Sequence, residues 1–184
     1  MAPAFLVDGL TEKKIVQKLC HGATVRMTGV NGKDVELSAI AKAAHSLISL
    51  FKGRHYPVIL IMDREKRQQS SEEIEDELKR LLEKLGVMEE VIISCPGRML
   101  ESWMLSDDEY FEEIYDIKLD TSYEGSHGKR EIRKLLAEKK QTYHEVSVGV
   151  DLFCSLDAAR IAINSSSFAR FRSKTAHFCG WLRR

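Results

Sequence analysis

Two apolar runs in this chain each end on a carboxylate. "AFLVDGLTE" (4–12) carries four largely apolar residues into Asp8, Gly9 and then Glu12, and "PVILIMDRE" (57–65) carries a longer run into Asp63 and Glu65. Carboxylates are hard oxygen donors that suit magnesium, which usually takes one or two of them with waters and substrate phosphates. Asp63 and Glu65 stand two apart, so in extended chain both lean toward one ion while Arg64 points away. Gly9 lacks a Cβ, which lets backbone or phosphate come close to Asp8. Glu101 is a third case, set among Leu100, Trp103 and Met104. A carboxylate in such a stripe is unfavourable to bury unless paired or bound to metal. Simpler readings stand beside these: Asp63 as a strand-end turn residue, Glu12 as a first-turn acid suited to the helix dipole, Glu101 at the wet edge of its stripe.

These acids need elements to position them. Residues 4–8 read as a short buried strand, and Thr11 reads as the N-cap of a helix carrying Ile15, Val16 and Leu19. "ATVRMTGV" (23–30) alternates as a second strand, with "NGKD" a turn after it. Ile40, Ala44, Leu47, Ile48 and Phe51 set out a helix that Gly53 stops. "PVILIMD" (57–63) is apolar throughout, as expected of a central strand buried on both faces. Ser70 and Glu73 form a capping box before a helix whose stripe is Ile74, Leu78, Leu81, Leu82 and Leu85. "EVIISC" (90–95) is a fourth strand, and Pro96 stands at an expected helix start. Beyond Ser106 helices are expected near 107–116, 129–139, 157–163 and 167–182, with a polar loop at 120–128 and Ser165, Ser166 and Ser167 making the turn before the last helix. Alternating strands and helices predict an α/β sandwich on a mainly parallel four-stranded sheet, followed by a helical C-terminal part. In such sheets working groups sit at the carboxyl ends of the strands, where Asp8 and Asp63 fall.

Composition narrows the function classes. The chain has 184 residues, 43% of them hydrophobic and 30% charged, and reads as one domain. No apolar run approaches the roughly 20 residues that cross a membrane, and the start has no basic n-region. Cys20, Cys95, Cys154 and Cys179 form no CxxC pair and read as reduced thiols of a cytoplasmic protein. The six histidines show no metal-ligand spacing. Net charge is zero, which argues against a general affinity for nucleic acid. From Ala158 onward, however, Arg160, Arg170, Arg172, Lys174, Arg183 and Arg184 face no acid in the sequence. Arg170, Arg172 and Lys174 are the candidates for phosphate contact there, against the alternative of a solvated helix face. Trp103 and Phe168 read as core residues.

The motifs also resemble a known family. "FLVDGLTE" is similar to the "VEGxTE" opening of TOPRIM domains, the metal-binding α/β fold of topoisomerases, primases and OLD-family nucleases, and "ILIMDRE" is similar to their DxD strand. The nearer resemblance is to small bacterial single-domain TOPRIM-like proteins related to the OLD nucleases and often encoded beside an AAA or ABC-type ATPase in defence loci. Their "EAWLL" helix is matched by "ESWML" (101–105), their lysine-led helix and tyrosine by "GKREIRKLL" (128–136) and Tyr143, and their ending by "LDAARIAINSSSFARF" (156–171). The resemblance implies a metal-dependent nuclease effector acting with a partner ATPase. Asp63, Glu65 and Glu101 would hold magnesium or manganese, with Glu12 a further candidate ligand. Asp8 would be a general acid or base or a further ligand, and Lys129 or Lys174 would steady phosphate charge. Two positions depart from the pattern: Asp8 is a methylene shorter than the family's glutamate, and Glu65 a methylene longer than its aspartate. Displacing a catalytic oxygen by about 1 Å can slow a reaction about a hundredfold.

Two other classes compete with the nuclease. One is a TOPRIM-like module without catalysis that binds the ATPase or nucleic acid, favoured by the Asp8 departure. The other is a receiver-type phosphoacceptor, which also has an acid after its first and third strands. A receiver pairs two adjacent acids where this chain has Asp8 and Gly9, and closes a fifth strand with a lysine that the sequence does not offer.

Overall fold

The computed structural model describes residues 1–30, 35–119 and 122–183. The expected turn at 31–34 lies outside them, as do two residues of the 120–128 loop. Four strands form one parallel sheet: β1 (Ala4–Val7), β2 (Thr24–Met27), β3 (Val58–Ile61) and β4 (Val91–Ser94), in the order β2-β1-β3-β4. Between them run α1 (Leu10–Leu19), α2 (Leu37–Phe51) and α3 (Ser71–Lys84). Then come α4 (Leu100–Met104), α5 (Asp108–Tyr115), α6 (Gly128–Glu138), a π-turn at Glu145–Gly149, α7 (Val150–Ser155), α8 (Ala158–Asn164), α9 (Ser166–Thr175) and a 3-10 turn at Gly180–Arg183.

The two central strands are buried along their whole length, and the two-residue period of a strand divides their side chains between two cores. Ala4, Leu6, Val58, Leu60 and Met62 pack against α2 and α3 through Ile40, Ala44, Ile48, Ile74 and Leu78. Phe5, Val7, Ile59 and Ile61 face the opposite way, against Ile15 and Val16 of α1, Trp103 of α4 and Phe168 and Phe171 of α9. Each large side chain so buried contributes about 1.5–3 kcal/mol, which is why these runs carry almost no polar residue until the strands end. Trp103 stacks on Phe171 at 5.3 Å, and its indole N–H donates to Ser167 Oγ at 2.8 Å, which ties α9 to α4.

Ser70 and Glu73 cap α3 as expected, the Ser70 N–H donating to Glu73 Oε2 at 2.7 Å and the Glu73 N–H to Ser70 Oγ at 3.2 Å. Ser165 accepts from the Phe168 N–H at 3.2 Å and caps α9. Other expectations are corrected. Gly9 is the N-cap of α1, so Thr11 is buried inside the helix. Pro96 lies in a loop, and α4 starts at Leu100 with Met99 as its N-cap. The helix expected over 167–182 ends at Thr175, with the 3-10 turn as a separate piece. The helix α7 and the π-turn before it had no expected counterpart. Cys20 and Cys179 are not free thiols: they form a disulfide with Cα atoms 4.9 Å apart, because α1 ends against the last turn of the chain. Cys95 and Cys154 remain free.

Candidate functional site

The chain leaves β1 toward β2 through α1 on one face of the sheet, and leaves β3 toward β4 through α3 on the other. The connections diverge between β1 and β3, which opens a crevice at the carboxyl ends of those strands. Asp8 and Asp63 stand on its two sides. Asp8 Oδ2 accepts the backbone N–H of Asp63 at 3.1 Å, and Thr28 Oγ1 lies 3.5 Å from Asp8 Oδ1. Asp63 Oδ1 in turn accepts the N–H of Leu100, the first residue of α4, at 2.9 Å. One carboxylate therefore anchors the strand end that bears the second, and the second anchors the helix that bears Glu101.

Glu101 is 6% exposed and accepts from the Tyr143 hydroxyl at 3.2 Å. The start of α6 presses on α4 at this point. A Cβ on Gly128 would stand 2.5 Å from the Glu101 carbonyl carbon and the Ser102 nitrogen, so glycine alone lets the two backbones meet. Lys129 follows at once, with its ammonium 2.8 Å from Glu145 Oε2. Glu145 also accepts from Arg133 at 3.2 Å. Gly149 serves a similar purpose, because a Cβ there would lie 2.6 Å from the Tyr143 hydroxyl. Glu65 has φ +58°, the left-handed region that a glutamate seldom adopts, and its N–H donates to the Arg98 carbonyl at 2.8 Å. The Arg67 guanidinium lies on the neighbouring backbone, 3.4 Å from the Asp63 carbonyl and 2.6 Å from that of Val35.

Burial and mutual repulsion shift the acids together. Burial pushes Asp8 up to about 7, helped by Glu12 and opposed by the Asp63 N–H and Arg67. Asp63 is raised well above the usual carboxylate range, first by burial and then by Glu12, Glu101, Asp8 and Glu65. Burial likewise raises Glu12 and Glu101, and Lys129 opposes it in both. Burial pulls the Lys129 ammonium down, but Glu145, Glu101 and Asp63 outweigh it and hold it above its ordinary value.

The fold thus brings Asp8, Glu12, Asp63, Glu65, Glu101 and Lys129 to one end of the sheet. It does not bring the other candidates there. Lys174 pairs with Glu75 of α3 at 3.0 Å, Arg170 with Glu72 at 3.1 Å, and Arg172 donates from Nε to the Leu182 carbonyl at 2.8 Å. These three tie α9 and the last turn to their neighbours. Glu145 belongs to the site but carries no sequence signal, since it lies on a single π-turn between loops.

A divalent ion suits this site in chemistry and charge: the donors are all oxygens, they are half-buried or buried, and Lys129 and Arg67 are cations facing them. Asp8 and Asp63 each spend one oxygen on a backbone N–H, which fixes the direction of the other. Among the described residues no three His, Cys, Asp or Glu side chains stand close enough to hold one ion, so binding would draw these side chains together. No helix among the described residues is long and apolar enough to cross a membrane. Compared with protein-family models, curated proteins and solved structures, the chain matches none.

Proposed function

We propose that this α/β protein is a TOPRIM-like, metal-dependent phosphodiesterase, a nuclease acting as the effector of an anti-phage system with an AAA or ABC-type ATPase. One observation carries the chemistry: Asp8 and Asp63, joined through a backbone N–H at the crevice between β1 and β3, with Glu12, Glu65, Glu101 and Lys129 around them. Asp63, Glu65 and Glu101 would hold magnesium or manganese, with Glu12 beside them. When bound, such an ion stabilises developing charge on the phosphoryl oxygens and lowers the pKa of water. Asp8, titrating near 7, is suited to take or give a proton at the scissile oxygen at neutral pH. Lys129 faces this site and Lys174 does not, so Lys129 is the lysine of this reading. The ATPase and the defence setting rest on the resemblance. The neutral chain supports a partner that supplies most of the grip on nucleic acid.

A second reading is a module that binds the ATPase or nucleic acid without chemistry. It is favoured by the engagement of Lys129 with Glu145 and by the spread of the carboxylates. The receiver-type reading loses support, since the sheet has four strands among the described residues and no lysine-bearing fifth.

Cleavage of plasmid and single-stranded DNA and RNA with magnesium or manganese, alone and with the neighbouring ATPase, tests the proposal. Activity should fall about a hundredfold or more in Asp63→Asn, and calorimetric metal binding should be lost with it. Metal binding without cleavage under any condition would leave the second reading, and neither would remove the metal site altogether.

A further inference from the structure

β4 is an edge strand, and a groove of about 780 Å³ runs beside it. One wall is the face of α3 that carries Asp76, Lys79 and Glu83, three residues at helical spacing. The floor is Val91, Ile92 and Ile93 of β4. The groove closes at one end on the Lys174–Glu75 pair and at the other on the 87–90 turn, where Met88 is 92% exposed. It shares no lining residue with the carboxylate site.

The ladder fixes which backbone groups face it. Val58 N donates to the Glu90 carbonyl at 3.0 Å and Met62 N to the Ser94 carbonyl at 3.1 Å. In a parallel pair one residue bonds through both its groups and the next through neither, so Val91 and Ile93 turn their N–H and C=O outward. Further along, the Cys95 N–H donates to Glu75 Oε1 at 3.0 Å, so that outward position is already capped and an added strand would end there. A strand edge with outward-turned backbone groups, buried at Ile93 and half-buried at Val91 and Ile92, beside an apolar floor is what an extended peptide pairs with.

Charge selects the peptide. Asp76, Glu83, Glu89 and Glu90 line the groove against Lys79, while Lys174 is neutralised by Glu75. A second copy of this chain pairing through β4 would set two acid-rich rims against each other, which like-charge repulsion opposes. We infer that the β4 edge docks an extended lysine- or arginine-rich segment of another protein, added to the sheet as a fifth strand with apolar side chains on Val87 and Met88. This surface does not depend on the phosphodiesterase reading.

The probe is a fluorescein-labelled peptide of eight residues alternating valine and lysine, titrated into the full chain by anisotropy, with a valine–glutamate peptide beside it. The basic peptide should bind saturably and slow amide exchange at Val91 and Ile93. Asp76→Lys with Glu83→Lys, both exposed positions whose fold is checked by circular dichroism, should weaken it about tenfold, and so should raised salt. The inference is overturned by no saturation, by equal affinity for the acidic peptide, by unchanged affinity in the double variant, by unchanged exchange at the two amides, or by self-association through this edge that excludes the peptide.

Discussion

Two clusters of acids in this protein are buried in opposite ways. Asp107, with no exposed surface, accepts the Tyr110 N–H at 3.2 Å and the Asp157 N–H at 2.7 Å, and meets Arg160 Nε at 2.7 Å. Arg160 also reaches Glu109 at 3.1 Å, and Asp157 caps α8. Asp107 and Glu109 share Arg160, and Asp157 accepts the N–H groups of Ala159 and Arg160. At the ends of β1 and β3, burial first and neighbouring acids second raise Asp8, Glu12, Asp63 and Glu101, with Lys129 and Arg67 to oppose them. The first cluster holds helices together. The acids of the second stay raised despite those two cations, and on the proposed reading a bound metal ion would offset them.

Breaking each cluster should therefore have opposite results. On the proposed reading Asp63→Asn should abolish activity and metal binding, yet it relieves repulsion, so the metal-free variant should melt no lower than wild type. Asp107→Ala should do the reverse. It leaves Arg160 without its buried partner and α5 without its cap, and should lower unfolding stability by about 3 kcal/mol in urea while metal binding persists.

The pH dependence sharpens the contrast. The Asp8 carboxyl titrates near 3.8 in the unfolded chain and near 7 in the fold. Between those values the folded state binds more protons than the unfolded one, so stability must fall as pH rises across that window. With a chelator present, thermal melts from pH 4 to 7 should show a loss on the order of 3 kcal/mol from this group. On the proposed reading, excess magnesium would bind the ionised folded site and should recover that loss. The smallest effect is expected at Gly128. Alanine there meets the Glu101–Ser102 backbone, and pushing α6 off α4 should cost about 1–2 kcal/mol and weaken metal binding through Lys129 and Glu101. Unchanged stability and affinity in Gly128→Ala would show that the close approach positions neither.

The strands and their terminal acids were readable in the sequence because burial on both faces leaves a continuous apolar run, and the first charge after it has to lie at the strand's end. Asp8 and Asp63 stand out for that reason, and Ser70–Glu73 does so because a capping box is local. Glu145 was not readable, since one π-turn has no period. Nor did periodicity separate Lys129 from Lys174: each lies on a helix, and which helix reaches the crevice is decided by Gly128 packing on α4 and by Glu75 holding Lys174 beside α3. Thr11 misled because a β-hydroxyl before an apolar stripe looks like a cap, although Leu10 already opens the helix. The Cys20–Cys179 pair spans 159 residues and depends on where the last turn docks, which no local pattern records.

That bond also divides the site topologically. It closes residues 20–179 into a covalent ring that contains β2, β3, β4, Asp63, Glu65, Glu101 and Lys129, while β1, Asp8 and Glu12 belong to the tail that enters it. The tail's only strand lies between two strands of the ring, β2 and β3. A single cut anywhere within the ring opens it and releases nothing, whereas a single cut between Glu12 and Cys20 frees the segment that bears both Asp8 and Glu12. The carboxylate crevice is thus made from two pieces of chain that the peptide backbone joins only through α1.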